Sequence, residues 1–239
     1  MALRPDRRYM TRAQAEAAVV DVGLRRYMLR VYNYMSVALA LTGAVAFFVS
    51  TSPALMQAIY GTPLLWVVIL APLGMVFFLA ARIHRMSTGT AQAMFWAYAG
   101  LVGLSLASIF LVYTGASIAR VFFITAGAFA GLSLVGYTTK KDLSGMGSFL
   151  FMGVIGLILA MVVNWFLASS ALQLMISVGG VLIFAGLTAY DTQQIKVMYS
   201  EGDSSEVGEK KAIIGALKLY LDFLNMFIFL LHIVGVARE

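Results

Sequence analysis

The sequence contains no cysteine, and that absence excludes a disulfide framework, thiolate metal sites and a cysteine nucleophile. Charge is nearly as scarce: Lys, Arg, Asp and Glu make up 12% of the 239 residues, against 61% hydrophobic residues and a mean hydropathy of +0.89. A soluble domain of this size has too little interior to hide so much apolar side chain, so the composition is that of an integral membrane protein. The N-terminus is not expected to be a secretory signal. The N-terminus, "MALRPDRRYMTRAQAEAAVVDVGLRRYMLR", has no short apolar core with a small-residue cleavage site, and its Asp6, Glu16 and Asp21 are foreign to transit peptides. Residues 1–28 are expected to form a basic cytoplasmic arm, solvated or interfacial, with the membrane domain in residues 29–239. The net charge of +6 does not point to nucleic acid, because the basic residues sit beside apolar runs, where membrane topology accounts for them.

Apolar runs long enough to cross a bilayer occupy residues 29–50, 63–81, 91–113, 120–137, 147–168, 172–190 and 212–236, which predicts an all-α protein of seven transmembrane helices. The connections alternate in charge. The arm carries Arg4, Arg7, Arg8, Arg12, Arg25 and Arg26; later connections carry Arg82, His84 and Arg85, then Lys140 and Lys141, then Lys196, Lys210 and Lys211. The connections between them, "TSPALMQAIYGT", "TGAS" and "ASSA", carry no charge. The positive-inside rule then places the N-terminus in the cytoplasm and, if the last run crosses fully, the C-terminus outside. Gly127 and Gly131 have the spacing that lets two helix backbones meet, and Pro72 predicts a kink in the second helix.

The last run is the least apolar. Lys218, Asp222, Asn225, Phe229 and His232 fall on one helical stripe, the pattern of a helix lining a cavity inside a bundle; a re-entrant or surface-lying segment is the alternative. Asp222 is too short to reach the interface, and Lys218 one turn away is a candidate partner along the helix. The other acid, Asp191, lies near the end of the sixth run, flanked on its own face by Thr188 and Gln194. The stretch "DTQQIKVMY" holds no helix stop, so the helix is expected to continue past Asp191. Two carboxylates facing each other in a poorly hydrated site cannot both ionise easily, so such a pair would share a proton and titrate as a unit. Spacing alone leaves that pairing open, because Asp191 and Asp222 lie at different depths along their runs.

The strings "AYDTQQI" and "ALKLYLDFLNMFIFLLHIVG", with the seven runs and the basic arm, resemble the Bax inhibitor 1 family, also called the transmembrane Bax inhibitor motif family, in its bacterial members. The resemblance implies six helices wrapped around the C-terminal one, in a bacterial inner membrane. It also implies a pH-sensitive calcium leak, with Asp191 and Asp222 as a proton-sharing pair. An arginine on the second helix is implied as a latch on that pair: Arg82 is the best match, and Arg85 the alternative. Calcium enters as the transported ion, at a transient site near Asp191 and Asp222; no cofactor is implied, and there is no EF-hand-like loop. Thr188, Gln194, Lys218, Asn225 and His232 are the candidate pore-lining residues. The partners are then the lipid bilayer, calcium and protons. The family's links to cell-death control and membrane proteolysis leave a second role open, as a non-conducting regulator of a quality-control protease or other membrane protein. An intramembrane aspartyl protease also uses two aspartates, but Asp222 follows Leu219, Tyr220 and Leu221 rather than a glycine motif, and the only "PAL" is in an early connection. The chain is therefore expected not to be an enzyme.

Overall fold

A computed structural model describes residues 12–238, with side chains from residue 22. Its helices are α1 (Arg12–Ser50), α2 (Pro53–Tyr60), α3 (Leu64–Arg82), α4 (Thr88–Leu106), α5 (Ile109–Val112), α6 (Gly115–Thr138), α7 (Ser144–Leu167), α8 (Ser170–Met198) and α9 (Ser205–Val234). Seven segments are long and apolar enough to cross a membrane, and each coincides with one of the runs read from the sequence. The arm expected over residues 1–28 is helical from Arg12 and continuous with the first span; its Arg4, Arg7 and Arg8 lie outside the described residues.

Several helices begin in the same way. A Ser or Thr oxygen accepts a backbone N–H three residues on: Ser52 for α2, Ser87 for α4, Thr114 for α6, Ser169 for α8 and Ser204 for α9. Pro53 stands at the first helical turn of α2, where its missing N–H costs nothing. Pro72 lies inside α3 without ending it. The third span is interrupted between α4 and α5, and a side chain closes the break: the Tyr60 hydroxyl donates to the Leu104 carbonyl at 2.6 Å and accepts from Ser108 N at 3.1 Å.

The innermost helix is α9. Its most apolar stretch is 67% buried, against 11% for the span containing α3. It packs on α1, α4, α6 and α8, while α3 and α7 pack chiefly on α4 and α8. Its inner face is aromatic: Tyr220 meets Phe95 and Tyr98, and Phe223 meets Phe122 and Phe129, with ring centroids 5.3–6.4 Å apart. A 30-residue helix is about 45 Å long, more than the roughly 30 Å of hydrocarbon, so α9 has the length to cross fully. Its far end is tied to the start of α6, where Thr114 N donates to the Val236 carbonyl at 3.1 Å and Val236 N donates to Ser117 Oγ at 2.8 Å. α9 therefore runs from one end of the bundle to the other without turning back.

The two ends differ in charge. At one, the Glu209 carboxylate at the start of α9 takes Arg30 and Tyr34 of α1 and Gln92 of α4 as partners, and Lys211 pairs with Asp203 at 2.6 Å. The acidic stretch "SEGDSSEVGEK", residues 200–210, thus folds onto the basic end. Apart from Arg120 and Arg238, the opposite end holds no charged side chain among the described residues.

One packing expectation is corrected. A Cβ added at Gly127 or Gly131 would meet nothing within 4 Å, so this pair joins no helices among the described residues. The close approaches lie elsewhere: a Cβ at Gly136 would overlap the Ala189 carbonyl, and one at Gly180 the Phe229 ring. Small-residue spacing permits an approach of helices, and which face is covered depends on the neighbours.

Candidate functional site

Helices α8 and α9 run antiparallel, in a register set by three contacts: Gly215 on Ile195, Lys218 with Asp191, and Phe229 on Gly180. A turn forward in α9 is a turn back in α8, so Asp222 comes level with Thr188, one turn or ~6 Å from the level of Asp191. This removes the depth mismatch read from the runs. α8 extends to Met198 and α9 starts at Ser205, so neither acid sits at a helix end.

Asp191, Lys218, Asp222, Asn225 and Phe229 line one cavity of about 370 Å³, together with Val154, Leu157, Ile158 and Met161 of α7. Four of the five stripe residues on α9 thus face a common space; His232 is exposed and lies outside it. Lys218 Nζ lies 3.4 Å from Asp191 Oδ1, so the lysine reaches across to α8 instead of pairing along its own helix. Asp222 is 4% exposed, and its Oδ2 has no hydrogen-bond partner among the described residues. Asn225 Nδ2 donates to the Leu221 carbonyl at 2.8 Å, which leaves its side-chain oxygen turned from that bond.

The remaining candidates lie elsewhere. Thr188 is fully buried and donates to the Phe184 carbonyl at 2.8 Å, and Gln194 reaches Ser144 Oγ at 3.4 Å; neither lines the cavity. The contact expected between Arg82 and the aspartates is not made in this structure. Arg82 is exposed at the end of α3, its guanidinium 6.0 Å from the Phe78 ring centroid, and Arg85 is exposed in the 3₁₀ turn that follows. The reason is the position of α3, which packs chiefly on α4 and so holds its basic end away from α8. The cation beside Asp191 is Lys218. The Glu209 cluster was not anticipated either, since Arg30 and Tyr34 of α1 and Gln92 of α4 reach it only through the packing of three helices.

Calcium takes roughly six to eight oxygen ligands. Among the described residues no three His, Cys, Asp or Glu side chains converge, and two carboxylates with Asn225 supply only part of such a shell.

Fold and site together define a seven-helix integral membrane protein with two acids and a lysine lining one cavity beside its last helices. The comparisons then give the family. A profile described as "Inhibitor of apoptosis-promoting Bax1" matches residues 24–239, and the chain belongs to that Bax inhibitor family. It is 47% identical to the inner membrane protein YbhL of Escherichia coli, over 90% of this chain and 94% of that one. It is also 48% identical to an uncharacterised protein of Rickettsia prowazekii, over 92% of this chain and 93% of the other. An uncharacterised protein of Caulobacter vibrioides is 48% identical, over 92% of each chain.

Proposed function

We propose that the protein is a proton-gated leak pathway for calcium in a bacterial inner membrane, with Asp191 and Asp222 sensing pH as one unit and Lys218 holding the closed state. The observation that carries this reading is the convergence of two carboxylates and one ammonium group on a single cavity within an apolar bundle. One cation and two carboxylates are electroneutral only with one proton among them, and an uncompensated charge at such depth costs on the order of 3 kcal/mol. The charge of the cavity is therefore tied to its proton count. A second proton, on Asp191, cancels the attraction for Lys218 and dissolves the pair that ties α8 to α9 across the cavity. The lysine, with a side chain 41% exposed, swings toward water. The wall that then yields is α7, whose apolar side chains cover the cavity. The latch role expected of Arg82 passes in this reading to Lys218. In this reading the charged end, with the N-terminus, lies in the cytoplasm, which the positive-inside rule supports.

The test is calcium entry into liposomes containing only the purified protein, followed as the pH is lowered from mildly alkaline to mildly acid. Entry should rise as pH falls. If liposomes with and without protein leak alike at every pH, conduction is wrong and the chain is a non-conducting regulator of a protease or other membrane partner.

A further inference from the structure

Between α1 and α6 the bundle leaves an open groove of about 660 Å³, floored by Phe223 of α9. The two flanking helices are held by others, α1 by α4 and α9, and α6 by α8 and α9. Along α1 the groove runs from Arg25 to Leu39, and along α6 from Tyr137 back to Phe122. Either length is about 21–23 Å at 1.5 Å per residue. Small side chains make the room: Ala126, Ala130 and Ser133 on α6 and Ser36 on α1. Tyr32 and Ser133, the hydroxyls facing each other across it, are bonded to one another at 2.6 Å and so present no unpaired donor to an apolar occupant.

Two cations flank the mouth at the charged end. One, Arg25, lines the groove; the other, Lys196 of α8, stands against the lining residue Tyr137, its ammonium group donating to the Tyr137 carbonyl at 2.9 Å and lying 5.3 Å from that ring's centroid. Inside the hydrocarbon an empty groove would forfeit the dispersion contacts of its whole lining, and no water is at hand to fill it. One leaflet's hydrocarbon is about 15 Å deep, half of the roughly 30 Å core. The groove is thus long enough for the whole tail of a lipid from that leaflet, with the headgroup at the two cations.

We propose that this groove binds one acyl chain of an anionic phospholipid from the leaflet at the charged end, with the phosphate held by Arg25 and Lys196. The bound chain would tie α1 to α6 beyond the Tyr32–Ser133 hydrogen bond that already joins them. The inference does not rest on the leak reading.

The experiment is native mass spectrometry of the full-length protein after exchange into micelles doped with phosphatidylglycerol or phosphatidylcholine. The parent should retain one phosphatidylglycerol per chain, about tenfold or more above phosphatidylcholine, as two basic contacts allow. Ala130→Phe, which fills the groove, should lose that lipid whatever its headgroup. The Arg25→Gln, Lys196→Gln pair should keep a lipid but lose the preference. Should Ala130→Phe fail to fold, Ala126→Leu carries the same test. Retention of lipid by the groove-filled variant at the parental level overturns the site, and equal retention of the two lipids by the parent overturns the headgroup assignment.

Discussion

Replacing Lys218 with methionine removes the cation beside Asp191 and keeps a side chain of similar length. At the observed 3.4 Å, and with an effective dielectric constant of about 20, the gross attraction is ~5 kcal/mol. The lysine side chain is 41% exposed, so screening and the cost of holding both groups leave ~1–2 kcal/mol of net stabilisation. A closed state weakened by that amount raises the open population roughly 5–30-fold. The assay is calcium entry into liposomes at mildly alkaline pH, where the parent is closed. Removing a neighbouring positive charge also favours the protonated form of an acid at any given pH, so the curve of flux against pH should move to higher pH. Lys218→Arg keeps the charge and should leave both features near the parental ones. The reasoning is refuted if Lys218→Met, folded and inserted, leaks no more than the parent at alkaline pH.

Gly136→Ala should lower the melting temperature in detergent, by a loss of about 1–3 kcal/mol, because its Cβ would overlap a backbone carbonyl that has no rotamer to move. Gly127→Ala, with open space around it, should not. At the start of α7, bonds from the Ser144 hydroxyl and then from its backbone N–H, the latter at 2.8 Å, hold the Asp142 carboxyl below its ordinary range. The stability this lends is complete above the ordinary carboxylate pKa and lost as pH falls through the lowered value. Hydrogen exchange at the Ser144 amide should follow that course, and Asp142→Ala should remove the protection at neutral pH too. Reporters that work on one side of the membrane should find the N-terminus in the cytoplasm and the C-terminus outside; two termini on one side would contradict a full crossing by α9.

The seven spans were legible because a bilayer imposes one length on every apolar helix, and no soluble alternative fits so many runs. The continuation of α8 past Asp191 was legible for want of any stop signal, and the stripe on α9 because helical spacing alone puts Lys218, Asp222, Asn225 and Phe229 on one face. His232 shares the stripe but lies beyond the cavity, since spacing along one helix does not say where the opposing wall ends. The register of α8 against α9 was not legible. It depends on Gly180 and Gly215 receiving Phe229 and Ile195, contacts between residues far apart in the chain. The same holds for the partner of Lys218, which lies on α8, and for Arg82, whose place follows from the packing of α3 on α4. Helix α2 was hidden in the uncharged first connection, too short to register as a span, though Ser52 and Pro53 carry a start signal.

The central claim is that Asp191 and Asp222 act as one proton-sensing unit, and a mutant cycle on calcium flux tests it most directly. Asp191→Asn, Asp222→Asn and the double variant are compared with the parent in liposomes across the pH range. Either single change should abolish most of the pH dependence, and the double change should add little, because the unit is already broken. Two partial losses that sum in the double variant would mean that the carboxylates titrate independently, and would contradict the account.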